Sequence, residues 1–124
     1  MNPVALGRDT MLAEAAAIEQ AAGRLDQHFE RAVEMLAAAE RVIVSGVGKS
    51  GVIAQKIAAT LTSTGTPAAW IHPVDSLHGD LGLVTGNTAA IILSKSGETE
   101  ELFGLLGVLA RLGVPVIAIT GGPA

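Results

Sequence analysis

Cysteine is absent from the 124 residues, so disulfides, thiolate chemistry and cysteine-based zinc sites are excluded. A cysteine-free chain fits a reducing compartment. Aromatic residues are almost as scarce: only Phe29, Trp70 and Phe103. A protein that stacks nucleobases needs more aromatic surface than that. Positive charge is thin as well. The net charge is −4 and the pI near 5.2, which gives no general attraction to nucleic acid or to an anionic membrane. A long apolar run is missing too. The longest, Leu102 to Ala110, has nine residues counting its two glycines, too few to span a bilayer. Met1 to Thr10 has no apolar stretch of the kind a secretory signal requires. The expectation is a soluble, cytoplasmic protein.

What is present is aliphatic. Hydrophobic residues make up 49% of the chain and the mean hydropathy is +0.48, a composition that collapses rather than stays disordered. At this length one domain buries roughly two-thirds of its unfolded surface. From about Asp9 to Ala39, apolar residues recur at helical spacing: Ile18, Ala22, Leu25, Phe29, Val33, Leu36. Gly23 interrupts that pattern, predicting either one kinked helix or two helices meeting near Asp26 to Phe29. Residues 1–40, with seven acidic and three basic residues, read as a helical scaffold or oligomerisation arm.

Beyond residue 40 the pattern alternates. Val42-Ile43-Val44, Ala68 to Ile71, Ala89 to Leu93 and Val116 to Ile119 read as strands. Ser50 to Thr64, with Ile53, Ile57 and Leu61 on one face, reads as a helix, and so does Glu98 to Leu112. Asp75 to Leu81 reads as a short helix that stops at Gly82. Continuous apolar runs mark strands covered on both faces, and strand–helix repetition implies a parallel sheet. The fold class is α/β, a three-layer sandwich, with residues 41–124 as its domain. The chain stops directly after the fourth strand, and the helix from Glu98 is apolar nearly all round. Both features lead to the expectation of an incomplete domain, a partner subunit, or both.

In open parallel sheets ligands bind beyond the carboxyl ends of the strands. Two loops there carry the chemistry. Ser45-Gly46-Val47-Gly48-Lys49-Ser50-Gly51 is not a Walker A loop, because Ile43 stands where its first glycine belongs. Gly46, Gly48 and Gly51 fit the dinucleotide spacing, but the acidic residue expected about 20 positions later is replaced by Ile71 and His72. What remains is a helix N-terminus aimed at an anion, with Lys49 beside it. A tight strand-to-helix turn explains the glycines but not the lysine. Ser94-Lys95-Ser96-Gly97-Glu98-Thr99 places three hydroxyls, a lysine and a glycine before a second helix. Ordinary N-capping accounts for one hydroxyl; all three plus a lysine suggest a phosphate cradle. Glu98 and Glu100 suit the helix dipole, whereas Glu101 is placed to reach over a bound sugar as a proton-transfer group. His72, His78, Asp75 and Asp80 follow no metal-ligand spacing, and no metal or other cofactor is expected. His78 and Asp80 suit a polar wall for sugar hydroxyls, while His72 reads as a strand end.

The loops Gly46 to Gly51, His78-Gly79-Asp80-Leu81-Gly82 and Ser94 to Thr99 resemble the sugar isomerase (SIS) domain, and most closely the arabinose-5-phosphate isomerases. Ser63-Thr64-Gly65-Thr66-Pro67 and His72-Pro73 add to the likeness, which covers nearly the whole chain. The resemblance implies a flavodoxin-like fold with a five-stranded parallel sheet, of which about four strands are present here, and assembly as dimers or tetramers. It implies interconversion of ribulose 5-phosphate and arabinose 5-phosphate through an enediol, without an essential metal, feeding lipopolysaccharide biosynthesis. By matching positions it implies that Ser50, Ser94, Ser96 and Thr99, with Gly48 and Gly97, hold phosphate. Lys49 and Glu101 would lie at the reacting carbons, and His78 would contact the sugar. Lys95 stands where relatives often carry Asn, and Val74 where Gly is common. Members of the family carry a further glutamate and histidine downstream of the fourth strand, beyond Ala124. Two functions follow as expectations: a phosphosugar isomerase, or a non-catalytic phosphosugar-binding module or sensor.

Overall fold

A computed structural model describes residues 1–75, 84 and 86–122. The chain forms two compact units, Met1–Val33 and Glu34–Ala124. In the first, helix α1 spans Pro3–Ala22. It starts earlier than the apolar spacing predicts because Asn2 caps it: Asn2 Oδ1 accepts from the Val4 and Ala5 N–H groups at 3.0 and 3.3 Å. Gly23 ends it rather than bending it. Helix α2, Gln27–Ala38, then restarts behind Asp26, whose Oδ1 accepts the His28 N–H at 2.9 Å. That hydrogen bond, seconded by the His28 side chain, holds the Asp26 carboxyl below its ordinary range. Of the two alternatives, the chain therefore takes two helices. The predicted stripe stays exposed at Ile18, Leu25, Phe29 and Val33; its last member, Leu36, lies in the second unit and packs within that unit's core.

The second unit is a parallel sheet. Its strands are β1 (Arg41–Gly46), β2 (Ala68–Trp70), β3 (Thr88–Ser94) and β4 (Val116–Thr120), in the order β2-β1-β3-β4. Strands β1 and β3 are central and pair in register from Arg41 with Thr88 to Gly46 with Leu93. Successive residues of a strand face opposite sides, so each apolar run supplies two cores. Ile43, Ala90 and Ile92 pack with Ile71 and with Leu102, Leu105 and Leu109. Val42, Val44, Ile91 and Leu93 pack with Ala54 and Ala58. Helix α3 (Lys49–Ser63) thus covers one face and helix α4 (Phe103–Arg111) the other, giving the three-layer sandwich. Below the sheet, Asn87 ties the entry of β1: its Nδ2 donates to the Ala38 carbonyl at 2.6 Å, and its carbonyl accepts the Glu40 N–H at 2.8 Å.

Three expectations shift. The face of α3 that meets the sheet is Gly51, Ala54 and Ala58, while Ile53 is exposed and Ile57 and Leu61 flank the contact. Small residues let the helix axis approach the strands closely, and that closeness outweighs the larger side chains. The helix expected from Glu98 begins later: a 3-10 turn over Glu100–Leu102 leads into α4, and Thr99 is extended. Strand β4 is not covered on both faces as its apolar run suggests; it forms an edge, with Val116 and Ile119 exposed. The short helix expected over Asp75 to Leu81 lies, past Asp75, outside the described residues.

Ala54 is fully buried between α3 and the strands. Ala54→Leu is expected to cost about 1–3 kcal/mol through overpacking, read as a lower urea midpoint with unchanged slope.

Candidate functional site

The strand order sets the site. From β1 the chain moves to β2 on one side; β3 returns past β1 to the other. The loops leaving β1 and β3 therefore diverge, and a crevice opens at their carboxyl ends.

The first loop is shaped by backbone contact. A Cβ on Gly46 would lie 2.9 Å from the Ser50 carbonyl carbon, and one on Gly51 would lie 2.8 Å from the Gly46 carbonyl oxygen. Two of the three glycines are thus needed for strand and helix to touch, with no ligand involved. Gly48 is different: it turns at φ +61°, with open space where a Cβ would be, and precedes α3 without capping it through a side chain. Lys49 opens the helix and is exposed; Ser50 is half-buried.

The second loop is held by its own hydroxyls. Ser94 Oγ accepts the Gly97 N–H at 3.0 Å and lies 2.7 Å from Thr99 Oγ1. Ser96 Oγ accepts the Glu98 N–H at 3.0 Å. Gly97 turns at φ +77°, a conformation that side-chain-bearing residues rarely adopt. The left-handed Gly97 and the extended Thr99 account for the late start of the helix, while loop hydroxyls accept the N–H groups of Gly97 and Glu98. Those bonds also set polarity. Each serine accepts from the backbone, so its own proton is left to be donated. Between Ser94 and Thr99 one proton closes their mutual bond and the other is free for a ligand.

The two loops meet at a cleft of about 180 Å³ lined by Ser50, Leu93, Ser94, Lys95, Ile119, Thr120 and Gly121. Ser50 and Ser94, far apart in sequence, thus share one concavity with a lysine. A second cavity, about 220 Å³, runs between α4 and β4. Ile92, Leu102, Phe103, Leu106 and Val116 make it apolar, with Ser94, Gly97, Thr99 and Thr120 at its polar end. Its apolar walls suit a dianion poorly. Ser96, Gly97 and Glu101 are exposed, Glu101 within the 3-10 turn. Lys49, Ser96 and Glu101 line neither cavity. His78 and Asp80 lie outside the described residues. His72 has a local role: its Nδ1 accepts the Val74 and Asp75 N–H groups, each at 3.1 Å, and its ring stands edge-on to Trp70. Among the described residues no three His, Asp or Glu side chains converge as metal ligands would. No described helix is long and apolar enough to cross a membrane.

Thr120 was missed in the sequence. Its signal is positional: it ends the fourth strand as Ser94 ends the third, and the two are register partners.

Comparison with known proteins agrees with this geometry. The family model "SIS domain" matches residues 35–124. An arabinose 5-phosphate isomerase KdsD of Francisella tularensis is 42% identical over 119 residues, covering 93% of this chain and 36% of its own length. The protein of the same name from Pseudomonas aeruginosa is 44% identical over 108 residues, covering 86% and 33%. A solved structure of the Escherichia coli CFT073 protein c3406 in complex with A5P superposes with a TM-score of 0.85 at 37% identity, over 97% of this chain and 66% of that one. The chain spans about a third of the length of the curated relatives it matches.

Gly97→Ala is expected to destabilise by about 1–2 kcal/mol, from the left-handed backbone alone. The new Cβ would also press on Thr120 Oγ1, 3.0 Å away. A lowered melting temperature checks it.

Proposed function

The chain belongs to the SIS domain family, and on that premise we propose that it binds a phosphosugar and takes part in aldose–ketose isomerisation, with ribulose 5-phosphate and arabinose 5-phosphate as the pair. The observation that carries this is the cleft at the strand-order switch, where Ser50 and Ser94 converge beside Lys95. Donated hydroxyl protons and a cation form the complement of a phosphate dianion. The names of the curated relatives and the A5P held by the solved relative point to the same ligand class.

In this proposal Ser50, Ser94, Ser96 and Thr99, with the backbone at Gly48 and Gly97, hold the phosphate, and His78 contacts the sugar. Lys49 and Glu101 serve the reacting carbons. Isomerisation needs a base to take the proton from the carbon beside the carbonyl and an acid to protonate the carbonyl oxygen. The enediol so formed returns a proton to the neighbouring carbon, and no atom is gained or lost. Residues 1–40 form the helical arm, residues 41–124 the phosphosugar domain. Exposed Val4, Leu6, Met11 and Leu12 on α1 support a homo-oligomer, and the lack of cysteine supports a cytoplasmic setting.

Incubation with ribulose 5-phosphate, followed by NMR, is expected to show arabinose 5-phosphate accumulating. No turnover by folded protein removes catalysis for this chain. A specific observation favours a second reading in that event: Lys49 and Glu101 stand outside both cavities, while Ser50, Ser94 and Thr99 line them. A binding module then predicts thermal protection by pentose phosphates, beyond that given by sulfate, without turnover.

Ser96→Ala is expected to weaken phosphosugar binding by about 1–3 kcal/mol, the cost of an unmade charge-assisted hydrogen bond. Calorimetric titration reads it, and unchanged affinity would remove Ser96 from the grip.

A further inference from the structure

The serine loop is held from a side that no motif in the sequence marks. Three consecutive residues at the exit of β4 each meet one residue of that loop. The Gly121 N–H donates to the Lys95 carbonyl at 3.0 Å. A Cβ on Gly122 would run into the Ser96 carbonyl, so Gly122 lies flat against it. The Thr120 hydroxyl fills the space where a Gly97 side chain would go, 3.0 Å from that Cβ position. The hydroxyl is itself fixed, because Oγ1 accepts the Gly122 N–H at 3.0 Å. Thr120 also lines both cavities beside Ser94.

We propose that Thr120 is a positioning residue: by anchoring the β4 exit through Gly122 and abutting Gly97, it sets the conformation in which the Ser94 to Thr99 loop presents its hydroxyl protons to a ligand. The β4 exit is the outer jaw of a clamp whose inner jaw is the loop's own network from Ser94 and Ser96. Thr120 bears on the ligand through Gly97. A methyl group in place of the hydroxyl keeps the bulk against Gly97 but leaves the Gly122 N–H without its acceptor, so the exit of β4 loosens.

The test compares Thr120→Val with Thr120→Ser in the whole chain, with ribulose 5-phosphate as the probe. Amide exchange at Gly97 and Glu98 is measured without ligand, affinity by calorimetry, and global stability by thermal unfolding. Thr120→Val is expected to speed exchange at both amides and to weaken binding about tenfold. Thr120→Ser keeps the acceptor, and should stay within about twofold of the wild type on both readouts. The valine variant should unfold at nearly the wild-type temperature, since β-branching suits the strand. Exchange and binding unchanged in Thr120→Val overturn the proposal, as does a serine variant as impaired as valine. The affinity arm rests on the phosphosugar reading; the exchange arm does not. If the wild type binds no sugar phosphate while valine still loosens the two amides, the positioning role stands and the phosphosugar reading falls.

Discussion

Two short apolar runs, Val42-Ile43-Val44 and Ala89 to Leu93, must be buried on both faces, and the rest of the structure follows from that demand. A strand apolar on both sides cannot face water on either, so one helix has to lie above the sheet and another below. Helices that cross over between parallel strands return every strand in the same direction. All the strand exits then collect along one edge of the sheet. Burial at the centre therefore decides where the polar loops stand.

The central strands and the α/β class were legible because aliphatic β-branched runs between turn residues have few other uses. The break between the two N-terminal helices was half legible: Gly23 signalled it, but the choice between kink and break depended on Asp26 capping α2. The packing face of α3 was legible in part: Ile57 and Leu61 do pack against the core, while Ile53 is exposed. Hydrophobic size singles out Ile53, Ile57 and Leu61, whereas the closest approach is made by Gly51, Ala54 and Ala58, whose value lies in being small. The exposure of β4 was not legible in its own apolar run; it accompanies the position of β4 at the edge of the sheet formed by the described residues.

The site was legible one loop at a time. Hydroxyls before a helix suggest an anion; in the loop Ser94 and Ser96 accept backbone N–H groups, which leaves donor capacity on the hydroxyls. The late start of the helix was not legible, since it follows from the left-handed turn at Gly97 and the extended Thr99. Thr120 was invisible for a similar reason. Threonine at a strand end is unremarkable until the β3–β4 register sets it beside Ser94.

The glycines show how a motif can be right about geometry and silent about chemistry. In the Gly46, Gly48, Gly51 spacing, the outer pair is accounted for by backbone contact between β1 and α3. That contact would be required whether the crevice held a dinucleotide, a sugar phosphate or water. The discriminating information lies in what surrounds the glycines. Lys95, one of only three lysines in an acidic chain, lines the crevice, and Lys49 opens helix α3 one residue before Ser50, which also lines it. Ser94 and Ser96 each accept a backbone N–H, and of the Ser94 and Thr99 protons one closes their mutual bond while the other is left over. In the proposed function the hydroxyl protons left over and Lys95, at an open cleft of about 180 Å³, form the complement of an anion such as a phosphate. The glycines make the crevice possible; in that reading the donors beside it decide what it holds.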